Sequence, residues 1–486
     1  MNNENLSKFT VPFSLICLFL PPILMGPYLP LVDILIFVSL NSYPQLPVET
    51  TSNYYIVQYS YILVHLLVKF FNDIGIAPAW QVVLFYILQA GISYYIVRSL
   101  LIIFFQDKIL IELGATAGLL TFWCGLFFWG GPLAYSLGYF VTGLGTVLIY
   151  REVDDGRDRT WKLTGLFFLA LVSHPVVIIL IYMNLFFRFI FSNKLRLKTV
   201  LLSLFLFAYC ILIVRSSPEK GATLSEIFSR TDLSINISQD IIILFDVDKI
   251  FTERLLEPGS RFLTYLFFKI KSIIFLLGIA SLAYVYLKKI MISKKIKLLS
   301  FNLLTVFAVY VLMPEFYDPS FMPLRFLAAN WAVIFVGPLV LIGVIISHSS
   351  QDEKLKSVIK SLIFKPIYFF ILFFTIITLA LMCQIEVFKG QSDIFERQIK
   401  IAKSQIMTNQ RDTVIDYGLH NIHPFYFRAV PFFVFIDKDI IDKNIYIITE
   451  WHKQYRHNIR FADADKSLNH KTYILTVDSN GDIYLK

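Results

Sequence analysis

Residues 163–187 read LTGLFFLALVSHPVVIILIYMNLFF, twenty-five positions without one Asp, Glu, Lys or Arg. A helix needs roughly 20 apolar residues to cross a hydrocarbon core, and this run exceeds that. One break stands inside it, His174-Pro175. Proline removes a backbone donor and disfavours helix at the residue before it. The run therefore reads as one long span or as two half-helices.

The rest of the chain repeats this character. Of 486 residues, 56% are hydrophobic, 16% aromatic and only 16% charged, with 47 Phe and a mean hydropathy of +0.65. Soluble domains are about 45–50% apolar and about 25% charged. A chain this apolar cannot cover itself with polar surface in water. The composition excludes a soluble enzyme, a disordered chain, a collagen and a disulfide scaffold. The predicted fold class is an all-α polytopic membrane bundle.

The length criterion marks about eleven membrane segments: 9–29, 54–71, 79–98, 111–128, 131–150, 163–187, 199–215, 262–287, 298–314, 325–347 and 363–383. The second is the weakest, since His65 and Lys69 interrupt it. The first reads as an uncleaved span, without a small-residue cleavage site. The division predicted is a transmembrane domain over 1–383 and a soluble domain over 384–486.

The net charge of +9 is not a nucleic-acid signal. From Glu386 to Lys486 there are 14 basic and 13 acidic residues, so the excess sits among the apolar segments. It is gathered in short clusters: Lys194, Arg196 and Lys198; Lys288, Lys289, Lys294, Lys295 and Lys297; Lys354, Lys356, Lys360 and Lys365. Basic loops stay cytoplasmic. With about eleven spans and a cytoplasmic N-terminus, all three clusters fall inside. Loops 30–53, 216–261 and 315–324 and the tail 384–486 fall outside. One loop resists this assignment: Arg151–Lys162 carries four basic and four acidic residues and lands outside. The tail reads as a small α+β domain, with a helix over 394–406 and strands flanking Asn480-Gly481, a hairpin signal. Cys17, Cys124, Cys210 and Cys383 are scattered through apolar segments without metal or redox spacing.

Few polar residues sit where chemistry needs them. Asp33 follows the first segment in an apolar stretch without a neighbouring base; it reads as a catalytic base or metal ligand, or as the N-cap of a short helix. His174 is an ionisable group inside a segment, functional or a packed hydrogen-bonding residue. Arg325 opens the tenth segment from outside, where its guanidinium is suited to fork onto a phosphate or to pair with Glu315 or Asp318. Arg261 stands likewise before the eighth. Trp129-Gly130-Gly131-Pro132 and Leu137-Gly138 form a tight corner between two spans.

In order, Pro30-Leu31-Val32-Asp33, the Trp129-Gly130 to Leu137-Gly138 pair of spans, His174-Pro175 and Pro323-Leu324-Arg325-Phe326 resemble the pattern of the GT-C superfamily of integral-membrane glycosyltransferases, closest to its poorly characterised bacterial members. The likeness covers most of 1–347. It implies a bacterial inner-membrane protein with its active site on the extracytoplasmic face. The donor implied is a sugar on a polyprenyl phosphate or diphosphate, and the acceptor a hydroxyl of a glycan, lipid or protein. Asp33 is the position that matches the family's key carboxylate, with Arg325, Arg261 and His174 placed to hold the leaving phosphate. The chain departs from the pattern after Asp33, where Ile34-Leu35-Ile36-Phe37 replaces a proline and polar pair, and no second acid adjoins it. That leaves the use of a divalent metal open, for Glu49, Glu315 or Asp318 would have to approach Asp33. The same membrane bundle also suits a transporter or flippase for a lipid-linked or anionic substrate, or a non-catalytic envelope protein.

Overall fold

The computed structural model describes residues 12–20, 62–76, 78–128, 136–173, 177–216, 276–312, 336–345, 348, 413–416, 445–448, 475–477 and 483–485, and these are predominantly helical. In chain order the helices are α1 (12–20), α2 (Ile62–Asp73), α3 (Pro78–Phe104), α4 (Lys108–Phe128), α5 (Ser136–Asp155), α6 (Thr160–Ser173), α7 (Ile178–Phe191), α8 (Arg196–Ser216), α9 (Leu276–Leu287), α10 (Lys294–Leu312) and α11 (Val336–Ile345). The chain divides into two compact units. One comprises Met1–Leu24, Ile87–Trp129 and Ser136–Gln384, the other Met25–Tyr86, Gly130–Tyr135 and Ile385–Lys486.

In the first unit, local signals cut the apolar chain into helices. Asp107 caps α4, its Oδ1 accepting from the amides of Ile109 (2.9 Å) and Leu110 (3.1 Å). Gly156, at φ +71°, takes the left-handed conformation that ends α5. Asp158 then caps α6, accepting at Oδ1 from the amide of Thr160 at 2.9 Å. After α9, Lys289 holds the left-handed position (φ +52°) of a Schellman turn, with Ile290 N–H donating to Val285 O and Lys289 N–H to Tyr286 O.

Side-chain pairs fix the helix directions. α3 and α4 run antiparallel, tied by Arg98 and Tyr94 to Glu112. α5 and α6 form an antiparallel hairpin in which Gly145 meets Phe167. α7 runs parallel to α5: Thr146 Oγ1 donates to Asn184 Oδ1 (3.0 Å), and Arg188 bonds Glu152 further along both helices. α8 turns back against α7, Tyr182 OH donating to Ser203 O at 2.8 Å, and stacks Phe205 and Tyr209 on Phe168 of α6. α10 enters beside the end of α5, with Lys295 on Asp154 (2.8 Å). The core is apolar, with Tyr150 and Val147 of α5, Leu163 and Phe167 of α6, Ile181 and Leu185 of α7, and Leu299 and Leu303 of α10 buried.

One alternative that the sequence left open is settled here. The run 163–187 is not one span. Arg188 at the end of α7 donates from Nη2 to Thr160 Oγ1 at the start of α6 (2.6 Å), so the chain reverses between Ser173 and Ile178. Pro175 supplies the physical reason, since it cannot donate to the helix before it and biases His174 away from helical geometry. The second half-helix therefore returns to the end where the first began. Accordingly, Arg151–Lys162 and the Lys194–Lys198 cluster share one end of the bundle, joined by the Lys198–Asp158 ion pair, rather than lying on opposite sides. Of the segment expected over 54–71, the described part is α2, and residues 54–61 lie outside the described residues.

Among the described residues, the stretch Ile87–Phe104 of α3 is long and apolar enough to cross a membrane, and half of it is buried within the fold. In the second unit, α2 and the start of α3 meet edge to face through Phe71 and Phe85. Its strands are β1 (Thr413–Asp416), β2 (Ile445–Ile448), β3 (Leu475–Val477) and β4 (Ile483–Leu485). β1 pairs in parallel with β2, and β3 pairs antiparallel with β4, Val477 opposite Ile483. The helix expected over 394–406 lies outside the described residues.

Gly145 gives a direct check on the α5–α6 contact. A Cβ there would stand 2.3 Å from Cε1 of the fully buried Phe167. Overpacking of this kind costs about 1–3 kcal/mol. Gly145→Ala should therefore lower the thermal unfolding midpoint of the purified chain; an unchanged midpoint would mean that the Phe167 ring yields.

Candidate functional site

Asp33, His174, Arg261 and Arg325 all lie outside the described residues, as do Glu49, Glu315 and Asp318. The chemistry that can be built atom by atom is a different cluster, at the shared end of α5, α6, α7, α8 and α10. Its centre is Arg188, which interrupts the apolar run Leu185-Phe186-Phe187-Arg188-Phe189 of α7 and is fully buried. A buried guanidinium requires a carboxylate, and Glu152, also inaccessible, supplies it from the last turns of α5.

The contact is a two-pronged fork. Arg188 Nε donates to Glu152 Oε2 at 2.7 Å, and Nη2 donates to Oε1 at 3.1 Å. Nη2 also reaches Thr160 Oγ1 at 2.6 Å, and Nη1 reaches Thr199 Oγ1 of α8 at 3.3 Å. Glu152 Oε1 accepts a further bond from the amide of Arg159 at 2.6 Å. Planar guanidinium geometry is what allows one side chain to satisfy acceptors on three helices; a lysine ammonium would not reproduce it.

A solvent-facing ring surrounds this pair. Asp158 accepts from Lys198 and from the hydroxyl of Thr160 (2.6 Å), and stands 3.6 Å from Arg188 Nη2. These donors, Lys198 first, hold the Asp158 carboxyl well below the ordinary range. Arg159 grips Asp155 with both terminal nitrogens, at 2.7 and 2.5 Å, and depresses its carboxyl likewise. Lys295 bonds Asp154 and the carbonyl of Ile103 (2.7 Å), and its ammonium lies 5.8 Å from the Phe104 ring centroid.

A second buried carboxylate, Glu112 in the second turn of α4, accepts from Tyr94 OH at 2.5 Å and from Arg98 Nε at 2.8 Å. One turn on, Thr116 shares a 2.7 Å bond with Ser14 of α1 and donates to the Glu112 carbonyl. This joins α1, α3 and α4.

Both buried carboxylates are thus engaged by cations of the fold, and neither is arranged as a free base. Among the described residues no group of three His, Cys, Asp or Glu is placed to hold a metal ion. The cluster at Arg188 pins helix ends. The sequence carried one signal of it: a lone Arg in an aromatic run needs a buried acid somewhere. Which acid cannot be read from spacing, because Glu152 lies 36 positions away.

Comparison with protein-family models, with curated proteins and with solved structures finds no match for this chain.

Removing one partner of a buried ion pair costs about 3–5 kcal/mol, because the other charge stays buried. Arg188→Met should destabilise the chain by that order, and Arg188→Met with Glu152→Leu by clearly less; equal losses in thermal unfolding would refute the coupling. The lowered Asp158 carboxyl has a linked acid effect. Its contribution is full above the unfolded value of about 4 and is lost as pH falls through the lower folded value. A pH series of unfolding midpoints should therefore fall less steeply below about pH 4 in Asp158→Asn than in the native chain.

Proposed function

We propose that the chain is an integral-membrane glycosyltransferase of GT-C type. It moves a sugar from a polyprenyl-phosphate-linked donor to an acceptor hydroxyl on the extracytoplasmic face. Membrane residence is supported by apolar side chains that the fold leaves uncovered. Leu201, Leu204, Phe205, Phe207 and Leu212 of α8 are all exposed, as are Leu15, Ile16 and Phe19 of α1. Apolar surface of that extent would be costly in water and suits contact with lipid.

One observation supports the orientation that this reading needs. The cluster at Arg188 gathers the basic loops 151–162, 194–198 and 288–297 at a single end of the first unit. Basic loops stay cytoplasmic, so this end is assigned to the cytoplasm. α4 and α6 lead away from it, and α5 and α7 lead back. The chain joining α4 to α5, with Trp129-Gly130-Gly131-Pro132, is then assigned to the extracytoplasmic half. So is the chain joining α6 to α7, with His174-Pro175. The family-like motifs thus fall on the same side as the Asp33 loop. In this reading neither 54–71 nor 163–187 is counted as a single traverse, which takes two from about eleven. An even loss leaves the termini on opposite sides, with the N-terminus cytoplasmic and the tail outside.

In the proposed reaction, the acceptor oxygen attacks the anomeric carbon as the bond from that carbon to the phosphate oxygen breaks. The phosphate departs with the bonding electrons, and Asp33 takes the hydroxyl proton. Arg325, with Arg261 and His174, steadies the charge that gathers on the leaving phosphate. A single displacement inverts the anomeric centre. A divalent metal is compatible with this chemistry; its ligands would be Asp33 with one of Glu49, Glu315 or Asp318.

A transport reading draws support from the α6–α7 pair, because broken helices that enter and return are common at transporter binding sites. One experiment separates the two. Membranes bearing the chain are supplied with polyprenyl-phosphate-linked hexoses, and release of polyprenyl phosphate is followed. Loss of a general base lowers rate by about 10²–10⁴-fold, so Asp33→Asn should nearly abolish release. Release that survives the substitution rejects Asp33 as base, and no release by the native chain with donor moved across the bilayer favours transport.

A further inference from the structure

The ends of the helices at the Arg188 cluster carry more exposed apolar surface than packing there requires. Four large apolar side chains stand out among the described residues: Met291 is 96% exposed, Trp161 89%, Leu287 82% and Leu197 72%. Every other large apolar residue exposed in the described fold is covered to a greater degree. All four belong to this one end. Trp161 follows Thr160, which Arg188 holds, and Leu197 precedes Lys198, which binds Asp158. Leu287 and Met291 flank the turn that leads into Lys295 and its bond to Asp154.

Each of the four stands within three residues of an exposed base. Lys162 adjoins Trp161, Lys194 precedes Leu197, and Lys288 and Lys289 separate Leu287 from Met291. These four lysines make no ion pair among the described residues, unlike Lys198 and Lys295, which are engaged inside the cluster. Lys289 also holds a left-handed backbone position that glycine would occupy without strain.

Free cations interleaved with protruding apolar tips match one kind of surface. A headgroup layer offers phosphate charge outside and acyl chain just beneath. A free phosphate would leave the apolar tips without a partner. We propose that this end of the bundle docks on acidic phospholipids of the leaflet it faces. The lysines bind headgroup phosphates, and Trp161, Leu197, Leu287 and Met291 seat at the boundary with the acyl chains. The inference rests on the membrane placement proposed above and adds to it a selection for acidic lipid.

Tryptophan quenching by brominated lipid tests it on the full chain in nanodiscs. The difference between the native chain and Trp161→Phe isolates the Trp161 signal from the other tryptophans. Brominated phosphatidylglycerol diluted in phosphatidylcholine should quench Trp161 more strongly than brominated phosphatidylcholine at the same fraction. The triple variant Lys194→Gln, Lys288→Gln, Lys289→Gln should weaken the association about fivefold per charge removed and erase the preference. Its unfolding midpoint in neutral detergent should stay native, because those lysines bridge nothing among the described residues. Equal quenching by the two lipids overturns the docking and leaves the membrane placement standing. A silent Trp161 beside other quenched tryptophans overturns the docking in the same way, and would point to a soluble acidic partner. Absence of quenching at every tryptophan overturns the placement as well.

Discussion

Arg188 lies where water does not reach, and a charge there is tolerable only when its donors find acceptors. It finds them on α5, α6 and α8 while standing on α7 itself. Four helix ends are therefore held in one register by one planar group. The cost of dehydrating Arg188 and Glu152 makes the pair a poor source of net stability, for an apolar substitute of equal shape would serve as well. Its value is specificity of arrangement: a slipped α7 would leave a guanidinium buried without its carboxylate. The outer pairs of Lys198 with Asp158 and Arg159 with Asp155 are at least partly exposed, where ion pairs contribute little each. They close the end of the bundle around the buried fork.

That constraint explains the shape of the neighbouring chain. A helix that starts at Thr160 and a helix that ends beside Arg188 must lead out and return, and neither exceeds fourteen residues. Away from the cluster the contacts become weaker and more numerous. Gly145 lets Phe167 approach the α5 backbone, Thr146 bonds Asn184, and Phe168 packs on Phe205 and Tyr209. Among the described residues, the strong polar interactions thus gather at one end, and packing predominates farther along the helices. In the proposed reading the packed end is the one that faces substrate. That separation has a physical merit, since adjustable contacts near a lipid-borne donor do not disturb the register set by the fork.

The second buried carboxylate, Glu112, is also held by a guanidinium and a phenol rather than left as a base. Ionisable groups in an apolar environment are functional by default, but here the described ones function as fasteners. The proposed catalysis accordingly rests on Asp33, whose stretch Leu31-Val32-Asp33-Ile34 offers no cation in sequence to neutralise it. Glu112 and Glu152, engaged by Arg98 and Arg188, are not offered for that role.

The sequence by itself determined that this chain is built largely of apolar helical segments, and that Asp33 has no basic neighbour along the chain. Those are local properties: the reach of an apolar run, and the proline at 175 that opened a choice between one span and two; the caps at Asp107 and Asp158 and the turn at Gly156 emerged with the structure. It also marked Arg151–Lys162 as a loop that fitted no simple alternation of sides. Only the tertiary structure decided the choice and resolved the misfit, because both depend on a bond between positions 152 and 188. Charge pairing is a matter of distance in space, and a count of residues along the chain is blind to it. Once Arg188 is seen to face Glu152, the half-helices must reverse, and the basic loops come to one end of the bundle.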